Sequence, residues 1–120
     1  MRDILKDLYE IVEKRKAENE EGSYTAYLID QGLDKILKKL GEETAETIIA
    51  AKNFEAVSNE DLDPYAEKKA LENEVGDLLY HLVVMLDILD ISIDDIEDVL
   101  RERMNKTRNL KEGRVADKNT

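Results

Sequence analysis

The sequence predicts an all-α protein, an antiparallel bundle of about four to five helices completed by dimerisation, from three observations. Apolar residues recur at three- and four-residue spacings, and the apolar/polar alternation of strands is missing. Five Gly, one Pro and 39% charged residues, with abundant Leu, Ile, Ala, Glu and Lys, favour helix over sheet. Finally, the stretch from Leu78 to Leu89 is apolar over more than half of a helix circumference, more than a small hairpin covers by itself, so a second copy is expected against it. At 120 residues the chain is a single domain by length, placed at 1–104 and followed by a polar, basic tail at 105–120.

A first helix is expected from about Asp3 to about Glu20, with Ile4, Leu8, Ile11 and Val12 as its buried stripe. Glu21-Gly22-Ser23-Tyr24-Thr25 breaks that pattern, and Ser23 or Thr25 can cap a short second helix through Leu28 and Ile29. Gln31-Gly32 punctuates again. A third helix then runs from about Leu33 to Asn53, with Leu33, Ile36, Leu37, Leu40, Ile48, Ile49 and Ala51 inside, and a polar connection is expected from Phe54 to Leu62. Asp63-Pro64 marks the start of a fourth helix reaching about Leu89, its stripe formed by Leu71, Val75, Leu78, Leu79, Leu82, Val83 and Leu86. Ser92 with Asp95 opens a last helix whose Ile96, Val99, Leu100 and Met104 should face inward with Ile93.

Two pairs of acids stand out against this frame. Glu43 and Glu46 on the third helix, and Glu74 and Asp77 on the fourth, are each three apart, so each pair presents its carboxylates side by side on one helix face. The spacing is common here: Asp7/Glu10, Asp87/Asp90 and Asp94/Glu97 share it, and most such pairs read as solvated faces. The setting is different for the chosen pairs. Ile36, Leu40, Glu43 and Ala50 share one stripe, and Leu71, Glu74, Asp77, Leu78, His81 and Leu82 another. Carboxylates placed beside a core need a counter-charge, and with one His and no Cys a hard cation such as Mg²⁺, Mn²⁺ or Ca²⁺ suits them better than zinc.

The net charge of −11 argues against nucleic acid or an anionic membrane surface as a partner, because both are bound through Lys and Arg. A small polyphosphate remains open, with divalent metal and local lysines overriding the global field. The absence of Cys fits a reducing, cytoplasmic setting; no apolar run reaches transmembrane length, and Met1-Arg2-Asp3 does not open a secretory signal.

Glu42-Glu43-x-x-Glu46 followed by Glu74-x-x-Asp77 resembles the signature of the all-α nucleoside triphosphate pyrophosphohydrolases, the MazG-like superfamily. More narrowly, the block at 21–25, the run from Gly32 to Glu43, Ala50-Ala51-Lys52-Asn53, and Asp77-Leu78-Leu79-Tyr80-His81-Leu82 are similar to the phosphoribosyl-ATP pyrophosphatases of histidine biosynthesis. The likeness spans nearly all of residues 4–104. It implies a homodimer, or a larger assembly built from dimers, that hydrolyses phosphoribosyl-ATP to phosphoribosyl-AMP and pyrophosphate with Mg²⁺, Mn²⁺ being a possible substitute. By position it implies Glu43, Glu46, Glu74 and Asp77 as metal ligands and Glu42 as a further ligand or the base for the attacking water. Lys35, Lys52 and Asn53, with Ser23 and Thr25, are implied as contacts to phosphate and ribose.

Two other functions fit parts of the chain. A housecleaning pyrophosphohydrolase acting on ordinary or damaged nucleoside triphosphates would share the acids but need not share Ser23-Tyr24-Thr25 or the Lys35 block. A non-enzymatic acidic helical interaction module would use the apolar fourth helix and leave the acids idle.

Overall fold

The computed structural model describes residues 3–19 and 21–106 and forms five helices: α1 (Ile4–Glu18), α2 (Tyr24–Gln31), α3 (Leu33–Asn59), α4 (Tyr65–Ile88) and α5 (Ile93–Met104). The all-α reading therefore holds. Side-chain caps start several helices where the sequence indicates them: Asp3 Oδ1 accepts from the Leu5 and Lys6 N–H groups, Ser23 Oγ from Ala26 and Ser92 Oγ from Asp95. Asp63 Oδ1 accepts from the Tyr65 N–H at 3.1 Å, so Asp63-Pro64 does open α4. Gly32 joins α2 directly to α3 at φ 92°, a left-handed value that a side chain would strain, and its N–H closes α2 on Leu28 and Ile29.

The third helix departs from expectation. It does not stop at Asn53 but continues six residues to Asn59, and the connection shrinks to the turn at 60–64. Nothing between Phe54 and Asn59 breaks a helix; the segment is polar because it lies largely in solvent. The result is a long antiparallel hairpin, with α3 about 40 Å and α4 about 36 Å long at 1.5 Å per residue.

The core lies at one end of that hairpin. Val12 from α1, Leu28 from α2, Ile36 from α3, Val83 and Val84 from α4, and Ile93 from α5 form it. α1 packs on the end of α4 and α2 on the start of α3 and the end of α4, and among the described residues no further helix covers the far half of the hairpin. Several residues expected inside are consequently exposed: Ile48 and Ile49 at 61% and 59%, and Val75 and Leu79 at 38% and 42%. Ile4, Ile11 and Leu37 are also exposed, and α5 buries Ile93 alone while Ile96, Val99, Leu100 and Met104 face outward. Hydrophobic period tells which face a helix would bury, but not whether another element reaches it.

One charged group sits in the core. Asp87 is fully buried, with Lys16 Nζ 3.0 Å from its Oδ1 across the α1–α4 contact. Burial, aided by the neighbouring Glu13 carboxyl, pushes Asp87 up to about 6, and Asp87 in turn raises Lys16. No described helix is long and apolar enough to cross a membrane. The basic tail expected at 105–120 lies outside the described residues from 107 onward.

Candidate functional site

The antiparallel hairpin places the i, i+3 face of α3 opposite α4. Glu43 and Glu46 from α3 and Glu74 from α4 meet there, one carboxylate oxygen of each lying within 4.8 Å of the others. Glu43 Oε2 and Glu74 Oε2 are buried with no hydrogen-bond partner. Buried carboxylate oxygens without partners are costly, so this cluster needs either shared protons or a cation.

The titration of the acids reflects that crowding. Glu74 is pushed up to about 7, first because protonated it can hydrogen-bond to Glu46, then through desolvation and a like hydrogen bond to Glu43, with the charges of both adding. Glu43 is raised chiefly by burial, with the charges of Glu46 and Asp77 adding to it, while a hydrogen bond from Glu74 works the other way. A proton shared among the carboxyls is thus the metal-free way to relieve the repulsion. A divalent cation would relieve it equally well, and an all-carboxylate oxygen donor set with two unsatisfied buried oxygens fits a hard cation.

The other expected site residues are placed as follows. Asp77 is exposed one turn beyond Glu74; its charge is felt by Glu43, but its carboxylate stands outside the group of three. Glu42 is exposed and paired with Lys39 at 3.5 Å. Asn53 lines a groove of about 260 Å³ with Glu46, Ile49, Ala50, Glu67, Ala70 and Glu74, so the carboxylates form part of its wall. Lys52 is exposed and bonded to Glu55, and Lys35 is half-buried with no ion pair among the described residues. Ser23 Oγ is engaged as the cap of α2, and Thr25 is buried with its hydroxyl bonded to that of Tyr80.

Residues that acid spacing does not flag complete the surroundings. Glu67 faces the groove from the first turn of α4. His81, 4% exposed, stands with Nδ1 4.0 Å from Glu43 Oε1, and its Nε2 is 3.1 Å from the Tyr24 hydroxyl. Its position four residues after Asp77 was the available signal for His81; its contact with Tyr24 spans 57 residues and has no local signature.

The geometry has relatives of known name. A family model described as phosphoribosyl-ATP pyrophosphohydrolase matches residues 5–104. A phosphoribosyl-ATP pyrophosphatase of Streptococcus sanguinis is 48% identical over 103 residues, covering 86% of this chain and 88% of that protein. One from Listeria welshimeri is 47% identical over 112 residues, with 91% and 96% covered, and one from Clostridium acetobutylicum is 44% identical over 112 residues, with 93% and 91% covered. With its acids gathered on the α3–α4 hairpin and these relatives matching along nearly its whole length, the chain belongs to the phosphoribosyl-ATP pyrophosphohydrolase family.

Proposed function

We propose that this chain hydrolyses the α–β phosphoanhydride of phosphoribosyl-ATP, releasing phosphoribosyl-AMP and pyrophosphate, the second step of histidine biosynthesis. The observation that carries the reading is the group Glu43, Glu46 and Glu74, with two unpartnered buried oxygens, at the wall of a groove in a chain of this family. These three carboxylates would hold Mg²⁺, or Mn²⁺ in its place, with Asp77, one turn further along α4, as a fourth ligand. Bound there, the cation draws off charge that builds on the phosphate oxygens as the anhydride breaks.

The chain's own residues account for the rest. Water adds to one phosphorus of the anhydride and the bridging oxygen leaves with the other phosphate. The proton lost by the water goes to a carboxylate, for which Glu42, the neighbour of Glu43 on α3, is the candidate base. Asn53 and Glu67 line the groove where the substrate extends away from the acids. Lys35 and Lys52 serve phosphate or ribose groups outside it, and the first turn of α2, with Ser23 and Thr25, borders the site on the opposite side.

A groove of about 260 Å³ is small for a whole nucleotide bearing a second ribose phosphate. Together with the exposed Ile48, Ile49, Val75 and Leu79 on the hairpin, this supports a homodimer, or a larger assembly of dimers, in which a second copy covers the hairpin and closes the site. The catalytic domain is 1–104, and the setting is cytoplasmic. Expression in a histidine auxotroph lacking this step tests the assignment in cells. Growth without histidine is expected; a cleared culture despite abundant protein would point to a different phosphoanhydride substrate.

A further inference from the structure

His81 is buried against the acid cluster yet forms no hydrogen bond to it. Its Nδ1 lies 2.8 Å from the Asp77 carbonyl oxygen one turn earlier, against 4.0 Å from Glu43 Oε1. A carbonyl can only accept, so Nδ1 carries the hydrogen, and in the neutral ring the Nε2 lone pair is left to accept from the Tyr24 hydroxyl at 3.1 Å. The adjacent residues repeat the pattern, Thr25 bonding to Tyr80 through their hydroxyls. Two consecutive residues of α2 are thereby clasped to two consecutive residues of α4.

The clasp also sets ring orientations. Tyr24 stacks on Tyr80 at 6.1 Å and 26°, meets His81 edge-on at 6.0 Å, and stacks on Tyr27 at 6.2 Å and 27°. Tyr24 and Tyr27 remain 47% exposed, so part of each ring stands open, with Tyr24 linked through His81 towards Glu43. The charges of Lys39 and Glu43 both reach the Tyr24 hydroxyl, which places this surface at the border of the acid cluster.

We propose that His81 is a positioning residue that acts through Tyr24: their hydrogen bond fixes the first turn of α2 so that Tyr24 and Tyr27 present a preformed aromatic surface to the purine base of the substrate. The inference rests on the hydrolase reading above. Flat aromatic faces suit a purine by stacking. Because the surface touches the base and not the scissile bond, its disorder weakens substrate binding and leaves the chemical step intact.

The test is steady-state pyrophosphate release by the full Mg²⁺-loaded protein carrying Tyr24→Phe, His81→Asn, His81→Gln, or Tyr24→Phe with His81→Asn. Tyr24→Phe keeps the ring and loses the donor. His81→Asn keeps an amide near Nδ1 but cannot reach Tyr24, whereas His81→Gln puts an amide oxygen near the place of Nε2. Tyr24→Phe and His81→Asn should each raise KM by about 5-fold with kcat held within about 2-fold, the worth of one hydrogen bond. The double variant should be no worse than either single one, because both break the same bond, and His81→Gln should recover most of the loss. Unchanged KM in Tyr24→Phe, additive losses in the double variant, or a fall in kcat at constant KM would overturn the proposal. Tyr24→Phe alone decides the matter if the His81 variants fail to fold, and turnover by the unsubstituted protein keeps a failure here distinct from a failure of the hydrolase reading.

Discussion

Glu46→Gln and Glu43→Gln should each lower pyrophosphate release by about 10³-fold or more while leaving the metal-free protein as stable as before or more so. The two effects come from the same geometry. Glu43, Glu46 and Glu74 crowd three carboxylates within 4.8 Å, and a cation held among them supplies several kcal/mol of transition-state stabilisation, each ~1.4 kcal/mol being tenfold in rate. An amide keeps the size of the side chain and one oxygen, but removes a charge that the cation needs and the metal-free fold does not. Without metal the loss of one like charge relieves repulsion, as the raised values of Glu43 and Glu74 indicate. Glu72→Gln, exposed on α4 and paired with Lys69, is the matched control and should change neither property. Thermal unfolding of purified Glu46→Gln at a much lower temperature than the parent would show that the acids hold the hairpin together instead.

The metal-free protein should melt at a higher temperature at pH 5 than at pH 8, and Mg²⁺ should shrink or reverse that trend. Glu74 stands at about 7 and Asp87 at about 6, both above the ordinary carboxylate range. Each binds its proton more tightly folded than unfolded. Its contribution is therefore complete below the unfolded value and is lost as pH rises through the folded one, across about 6 for Asp87 and about 7 for Glu74. Carboxylates with lowered values, such as Glu13 and Glu55, change the balance at more acid pH, so the window from 5 to 8 reads Glu74 and Asp87, with the raised Glu43 acting in the same sense. Mg²⁺ takes the ionised site, so its binding at pH 7 should release protons and stabilise by about 2.7 kcal/mol at a concentration 100 times its Kd. Calorimetric scans across that window, with Mg²⁺ and with chelator, read both effects. A metal-free melting temperature that falls steadily from pH 8 to pH 5 would contradict the crowded-carboxylate site.

Local chemistry made the helix starts readable. Ser23, Asp63-Pro64 and Ser92 announced α2, α4 and α5 because capping depends on the few residues at a helix end. The end of α3 was not readable in the same way. Phe54–Asn59 lacks a breaker, and its polarity reports a solvated helix surface as readily as a loop. Burial was the weakest inference: Ile48, Ile49, Val99 and Leu100 have the right period, yet whether an apolar face is covered depends on elements elsewhere in the chain or in another copy.

The acids show the same division between local and distant information. Three-residue spacing put Glu43 beside Glu46, and the helical hairpin brought Glu74 to them. Whether Asp77 points inward depends on the rotation of α4 against α3, which no local pattern encodes, and in the structure its side chain is exposed. His81 and Tyr24 meet across 57 residues for the same reason: tertiary packing, not spacing, puts them in contact.

Whether this hairpin of acids serves phosphoribosyl-ATP is tested by comparing initial rates of pyrophosphate release from phosphoribosyl-ATP and from a panel of nucleoside triphosphates, each with Mg²⁺ and with chelator. Strong preference for phosphoribosyl-ATP, lost on chelation, is the predicted result. Equal or faster release from a plain nucleoside triphosphate would contradict the substrate assignment, and release that persists in chelator would contradict the role given to Glu43, Glu46 and Glu74.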